Sequence, residues 1–338
     1  MDDLKHGSRD KRGNWTPKEP LTSAPIFVLP PRPLDFLRWL PHYFLPWNVL
    51  FMVSATLFWW YLTPSQDILK TLHWSWILAI FARNCLAVFL FYGAFELRLY
   101  VKRHQQGRFK YNPKFPADSK SGAFFFRSQN LDNMARSFGS GVPIWTAFEV
   151  LTLWAFANGY APMASFTANP WWLLTIVLLL PFFHEVHFFI VHRLIHLPIL
   201  YKWVHSVHHN SSNPSPWSSL SMHPVEHLLY FSGCLVHLLI FSHPLLAIYH
   251  LHFAGFGAVV GHVGFDKMET GKDRGVDTHA YAHYLHHKYF EVNYADGLIP
   301  LDKLFGSWHD GTKDGEAQMD ARMAKKRAKM NAKFNQKA

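Results

Sequence analysis

The segment from His184 to His209, HEVHFFIVHRLIHLPILYKWVHSVHH, holds seven histidines in 26 positions, and their spacing restricts what the chain can become. His192 and His196 are four apart, so on a helix both imidazoles project from one face. His205, His208 and His209 follow as H-x-x-H-H, and His283, His286 and His287 repeat that pattern downstream. Neutral imidazole is the commonest metal ligand and suits zinc, copper, iron and nickel. Eight histidines in three clusters exceed the three or four ligands of one zinc site, so two metal ions fit better. His262, in GHVGFD, is a natural further ligand at the end of an apolar segment. A redox-active metal pair beside apolar helices suits oxidative attack on a lipid C–H bond, which zinc does not perform.

Of the 23 histidines, 19 lie between His184 and His309, and they are not equivalent. His187 is a candidate beside the site, either packing there or adding a ligand. His223 and Glu226, in MHPVEH, are expected to orient a ligand by hydrogen bonding, and His279 is a further candidate. His237, His243, His250 and His252 fall in or beside apolar runs and are assigned to helix packing or the far interface. His309, in HDG, reads as surface.

Nearly half the residues are hydrophobic (49%), with 30 Phe and 14 Trp, and they cluster in long runs. Apolar runs at 44–62, 76–97, 143–160, 170–190, 227–241 and 244–261 predict an all-α integral membrane bundle of four to six segments with a cytosolic histidine-rich helical cap. The run at 227–241 is short, so a re-entrant hairpin is an alternative. Arg83 and Asn84 interrupt the second run and are expected to face other helices or lie near an interface; Glu149 makes the third less secure. Nine Lys or Arg against two Asp between 98 and 136 put that loop in the cytosol. The formal charge of +10 therefore reads as basic loops facing anionic lipid rather than nucleic acid. Six crossings would place both termini, the histidine clusters and the basic loops on one face. Cys85 and Cys234 sit in apolar runs, which argues against a disulfide framework or a thiolate site.

These features divide the chain into a flexible cytosolic arm (1–40), a membrane hairpin with a basic loop (41–139), a catalytic region (140–312) and a basic tail (313–338). The tail, with seven basic residues after Asp320, is expected to be an amphipathic helix lying on the membrane.

The order HRLIH, LYKWVHSVHH, SMHPVEH, GHVGFD, HYLHHKYFEVNYADG and LDKLFGSW resembles the fatty acid hydroxylase/sterol desaturase superfamily across roughly residues 140–310. The resemblance implies a non-haem centre of two iron ions, with O2 as co-substrate, that hydroxylates or desaturates a lipid of sterol or fatty acyl/sphingoid type. Its implied ligands are His192, His196, His205, His208, His209, His262, His283, His286 and His287, with no catalytic residue beyond them. Many members carry Asp seven residues before the first of these; Glu185 stands there in this chain, keeping a carboxylate expected to orient a ligand. With no flavin or nicotinamide motif, electrons are expected from a separate ferredoxin or b-type cytochrome with its reductase. Two other readings keep the metal: a membrane-embedded zinc hydrolase, which lacks an H-E-x-x-H base here, and a metal transporter, whose sites usually lie at mid-membrane. The absence of a targeting segment favours a bacterial inner membrane over the endoplasmic reticulum as the expected location.

Overall fold

A computed structural model describes residues 1–116 and 122–335, with 329–335 as backbone alone. Numbered along the chain, α1 (Pro33–Phe44) and α2 (Trp47–Tyr61) precede α3 (Trp74–Val101), α4 (Gln129–Ala157) and α5 (Pro170–Ile195). Then come α6 (Pro224–Phe231), α7 (Pro244–His262), α8 (Tyr281–Tyr289) and α9 (Lys313–Asn335). Long runs of Leu, Phe, Ile and Trp make α3, α4, α5 and α7 long and apolar enough to cross a membrane. At 29 residues, α4 is about 44 Å long against a hydrocarbon core of about 30 Å. Leu78, Leu86, Phe89 and Leu90 of α3 and Trp171, Leu179 and Ile190 of α5 stay exposed, as a lipid-facing surface requires.

α7 is the axis of the bundle, with fifteen of its nineteen residues buried, and it packs along α2 and α4. Tyr92 donates its hydroxyl to the Gly255 carbonyl (2.5 Å) and Tyr230 to that of Ala254 (2.8 Å). Gly255 leaves room for the Trp145 ring against α7: a Cβ there would lie 2.1 Å from it.

The end of the bundle away from the histidine clusters is tied by short contacts. Trp172 Nε1 donates to the Phe241 carbonyl (2.5 Å), Asn158 Nδ2 to that of Lys70 (3.1 Å), and Arg83 to that of Leu62 (3.1 Å). Among the described residues, four helices are of membrane-spanning length. α2, at 15 residues, is shorter. The run at 227–241 departs from a continuous span: α6 stops at Phe231, a 3-10 turn covers Ser232–Leu235, and a single helical turn covers Val236–Leu239. Gly233 sits at this break against the His187 ring, where a Cβ would meet Nδ1 at 3.0 Å.

The charges inside the apolar runs find one another. Arg83 of α3 pairs with the fully buried Glu149 of α4, while Asn84 Nδ2 donates to Glu149 Oε2 (2.9 Å) and to Thr146 Oγ1 (3.1 Å). A carboxylate that made α4 doubtful as a span is held there by its cation.

Three sequence expectations need correction. The arm at 1–40 is docked rather than free: Trp15 is 1% exposed, β1 (Gly7–Arg9) pairs with β2 (Trp15–Pro17), and the terminal amino group lies 3.4 Å from Glu269. A buried indole needs a core to fill, and Phe109 and Tyr111 supply it. α9 docks on the protein through Arg322 to the carbonyls of Gly306 and Glu291 and through Lys326 to the Glu291 carboxylate. His309 is buried at 2% exposure, not surface; its ring stacks on Tyr289 and its Nδ1 accepts from the Gly311 N–H (3.0 Å).

Candidate metal centre

Four elements deliver imidazoles to one end of the bundle. α5 ends on His192 and His196, and α7 ends on His262. A π turn over Tyr201–His205 and the helical turn Ser206–His209 carry the H-x-x-H-H cluster, and α8 carries the second one. A π turn is wider than an α turn and recurs at functional sites. Here it sets His205 against His209 (Nε2···Nε2 3.0 Å).

The nine histidines form two groups whose ligand atoms lie within 4.8 Å of one another: His192, His196, His205, His209 and His286, then His208, His262, His283 and His287. Within the first, His286 Nε2 is 3.2 Å from His196 Nε2 and 3.1 Å from His209 Nε2. Within the second, His262 Nε2 is 3.2 Å from His208 Nε2 and 2.9 Å from His283 Nε2, and His287 Nε2 is 3.1 Å from both His208 and His283. Nitrogens held about 2.0–2.1 Å from a common metal stand about 2.8–3.0 Å apart at neighbouring octahedral positions and about 3.3–3.4 Å apart in tetrahedral geometry, and the observed separations fall within those bounds.

His192 Nδ1 donates to the Tyr294 carbonyl (2.8 Å), His286 Nδ1 to that of Val292 (2.7 Å), His205 Nδ1 to Glu226 Oε1 (2.8 Å) and His262 Nδ1 to the Ala258 carbonyl (2.7 Å). A neutral imidazole has one N–H, so these four present bare lone pairs at Nε2. Burial holds His205, His208, His209, His283, His286 and His287 far below the usual imidazole pKa, with neighbouring imidazoles adding to the effect. The first group then has at least three lone pairs facing inward and at most two hydrogens to offer them. Lone pairs crowded in a dry site call for a cation, and the donor set suits a transition metal.

The carboxylates act behind the imidazoles. Glu226, 3% exposed, fixes the tautomer of His205. Glu185 Oε1 accepts from the backbone N–H groups of Gly297 (3.0 Å) and Ile299 (3.1 Å). It thereby anchors the loop whose Tyr294 carbonyl orients His192. Two residues given no role from the sequence complete that loop. Asp302 accepts from the N–H groups of Tyr294 (3.0 Å) and Ala295 (2.8 Å), and Asn293, at φ +49°, donates to the Ala282 and His309 carbonyls. Their signal was the NY…D…FGSW tail.

The other candidates lie apart. His187 Nε2 meets Ser232 Oγ (3.1 Å) and belongs to neither group. His223 caps α6 through the Val225 N–H (3.2 Å), so Glu226 alone of that pair reaches a candidate ligand. His279 lines a cavity beside the centre.

A family model described as fatty acid hydroxylase matches residues 176–307, which contain all nine histidines. Similar proteins include a Delta(7)-sterol 5(6)-desaturase of Gibberella zeae, 32% identical over 40% of this chain and 42% of its own length. Another is a fatty acid hydroxylase of Mycosarcoma maydis, 31% identical over 42% of this chain and 36% of its own length. A Delta(7)-sterol 5(6)-desaturase of Aspergillus fumigatus is 26% identical over a longer stretch, 73% of this chain and 72% of its own length. The chain spans less than half the length of the first two. No solved structure matches it. The span 176–307, which holds the paired histidine groups, thus matches the fatty acid hydroxylase family model, and these relatives support placing it in the fatty acid hydroxylase/sterol desaturase superfamily.

Proposed function

We propose that this protein is a membrane-bound non-haem di-iron oxidoreductase that uses O2 to hydroxylate or desaturate a C–H bond of a sterol or fatty acyl/sphingoid lipid. The observation that carries this reading is the convergence of two imidazole groups on a largely apolar chamber of about 190 Å³. His192, His196, His205, His209 and His286 would hold one iron, and His208, His262, His283 and His287 the other. Iron supplies the redox chemistry with O2 that zinc lacks. Hydroxylation balances as R–H + O2 + 2 e⁻ + 2 H⁺ giving R–OH and water; desaturation removes two hydrogens and gives two waters.

The chain's own residues do the rest. Phe51, Phe188, Tyr230 and Phe253 wall the chamber, exclude water and hold an apolar carbon beside His208, His262 and His283. Glu226 keeps the His205 Nδ1 proton in place, and Glu185 fixes the loop that orients His192. Electrons come from a separate ferredoxin or b-type cytochrome docking on the basic face, which the positive-inside rule puts in the cytosol with both termini.

The test is elemental analysis of detergent-purified protein beside His208→Ala and His286→Ala, followed by lipid turnover with and without O2. Iron lost in both variants and oxygen-dependent oxidation support the reading. Folded protein that binds no metal, or turnover that proceeds anaerobically, overturns it.

A further inference from the structure

The chamber beside the histidines does not end in a closed wall. Trp47, Asn48, Phe253, His279 and Asp296 line it and also line a second cavity of about 670 Å³. That vestibule lies under α1, which is held across it by Tyr43 donating to the Leu178 carbonyl of α5 (2.5 Å). Trp47 Nε1 donates to the Asp277 carbonyl (2.9 Å) and fixes the opposite side. Leu34, Leu37 and Leu45, in and just after α1, remain exposed, so the vestibule opens beside an apolar surface suited to the membrane interface.

The two cavities differ in chemistry. The chamber is walled by aromatic and aliphatic residues, with the histidines, Glu226, Asp296, Asn48 and Thr278 as its polar groups. The vestibule is lined by four carboxylates, Asp35, Asp266, Asp277 and Asp296, against one arginine, Arg38, which already stands 3.8 Å from Asp35. Asp266 accepts from the Tyr111 hydroxyl (3.0 Å), and Asp277 pairs with Lys267 (3.1 Å). Asp296 differs: no described residue donates a hydrogen bond to its carboxyl oxygens. By area it is exposed, yet protein atoms surround it, so the surface it shows is cavity wall at the junction. His279 shows the same combination and is held at φ +53°, a left-handed conformation unusual outside glycine. Strained residues of this kind collect at ligand clamps.

We infer that the junction of Asp296 and His279 is a head-group subsite that selects lipids whose head donates hydrogen bonds, an alcohol or an amine, and rejects carboxylate and phosphate heads. Asp296 accepts the donated hydrogen, the apolar body enters the chamber between Phe51 and Phe253, and the vestibule holds what the small chamber cannot. An anionic head at the junction would stand against the Asp296 carboxylate, which no described side chain neutralises, whereas Asp35 and Asp277 have cationic partners. Asp296 is then a specificity-determining residue. The inference rests on the reading of the centre as a lipid oxidase.

Equilibrium binding tests it without turnover. The full-length, iron-loaded protein in neutral detergent is titrated with labelled cholesterol and labelled sphinganine, and palmitate and phosphatidic acid are used as competitors. Either labelled probe binding at least about 10-fold more tightly than palmitate supports the inference, and which one binds tells a sterol alcohol from a sphingoid amine. Palmitate or phosphatidic acid binding as tightly as both overturns it. Asp296→Asn, which keeps shape and removes charge, is expected to narrow the gap between alcohol or amine and palmitate by about 10- to 100-fold while iron content stays unchanged. An unchanged gap in a variant with full iron content also overturns it. Loss of iron or of oxidation in the wild type strikes the reading of the centre instead, because the binding ranking is measured separately.

Discussion

Glu226 Oε1 and His205 Nδ1 stand 2.8 Å apart, both buried, and that contact decides which imidazole nitrogen faces the centre. With Nδ1 donating to the Glu226 carboxylate, Nε2 is bare and points at His209 Nε2, 3.0 Å away. Glu226→Gln keeps an acceptor oxygen but loses the charge that strengthens the bond. We expect iron affinity to fall about 10-fold in Glu226→Gln and about 100-fold in Glu226→Ala, read by competition with a chelator. Equal affinity in all three proteins would remove Glu226 from the site.

Each histidine group is expected to lose its own metal. His286 belongs to the first group and His208 to the second. Each single alanine variant should therefore lower the iron content by about half, and the double variant should lower it to near zero. Abolition of all iron by either single change would mean that the two groups fill as one cooperative unit.

Much of this centre was legible in the primary structure, because helical spacing alone brings His192 to His196 and His205 to His209 onto common faces. The three clusters and His262 are close in space because α5, α7 and α8 end at the same place, and no local spacing encodes that. Glu226 was visible as a partner but was linked to His223, which lies three residues away yet turns to cap α6. Proximity in sequence misled there. His309 read as surface because HDG is polar, whereas its ring is buried by stacking on Tyr289 from a separate helix. The break at Ser232–Leu235 was signalled only by the shortness of its run and by the Ser232–Gly233 pair within it.

Arg83 and Glu149 form an ion pair inside the apolar bundle, with side chains 9% and 0% exposed. Removing one partner leaves a buried charge without compensation, so Glu149→Ala should destabilise the protein by about 3–5 kcal/mol. The double change Arg83→Met and Glu149→Leu removes both charges and is expected to recover most of that loss. Thermal unfolding in detergent measures the cycle. A single variant as stable as the wild type would show that the pair is solvated.

Selection at the vestibule should depend on pH through Asp296. Burial, with Asp302 nearby, pushes its carboxyl up to about 6. Glu185 of α5 and Tyr230 of α6 are the other titratable groups that sense it, and Asp302 is hydrogen-bonded within its own loop. Above pH 6 Asp296 is a carboxylate, accepts a hydrogen from an alcohol or amine, and repels a carboxylate head. Below pH 6 it is protonated, loses that repulsion and donates a hydrogen itself. The preference for cholesterol or sphinganine over palmitate should therefore be largest near pH 7.5 and shrink as pH falls through about 6. In Asp296→Asn that step should vanish, leaving only the titration of palmitate itself and of the other vestibule groups. A wild-type preference that stays flat from pH 7.5 to 5 would show that Asp296 does not govern the choice of head.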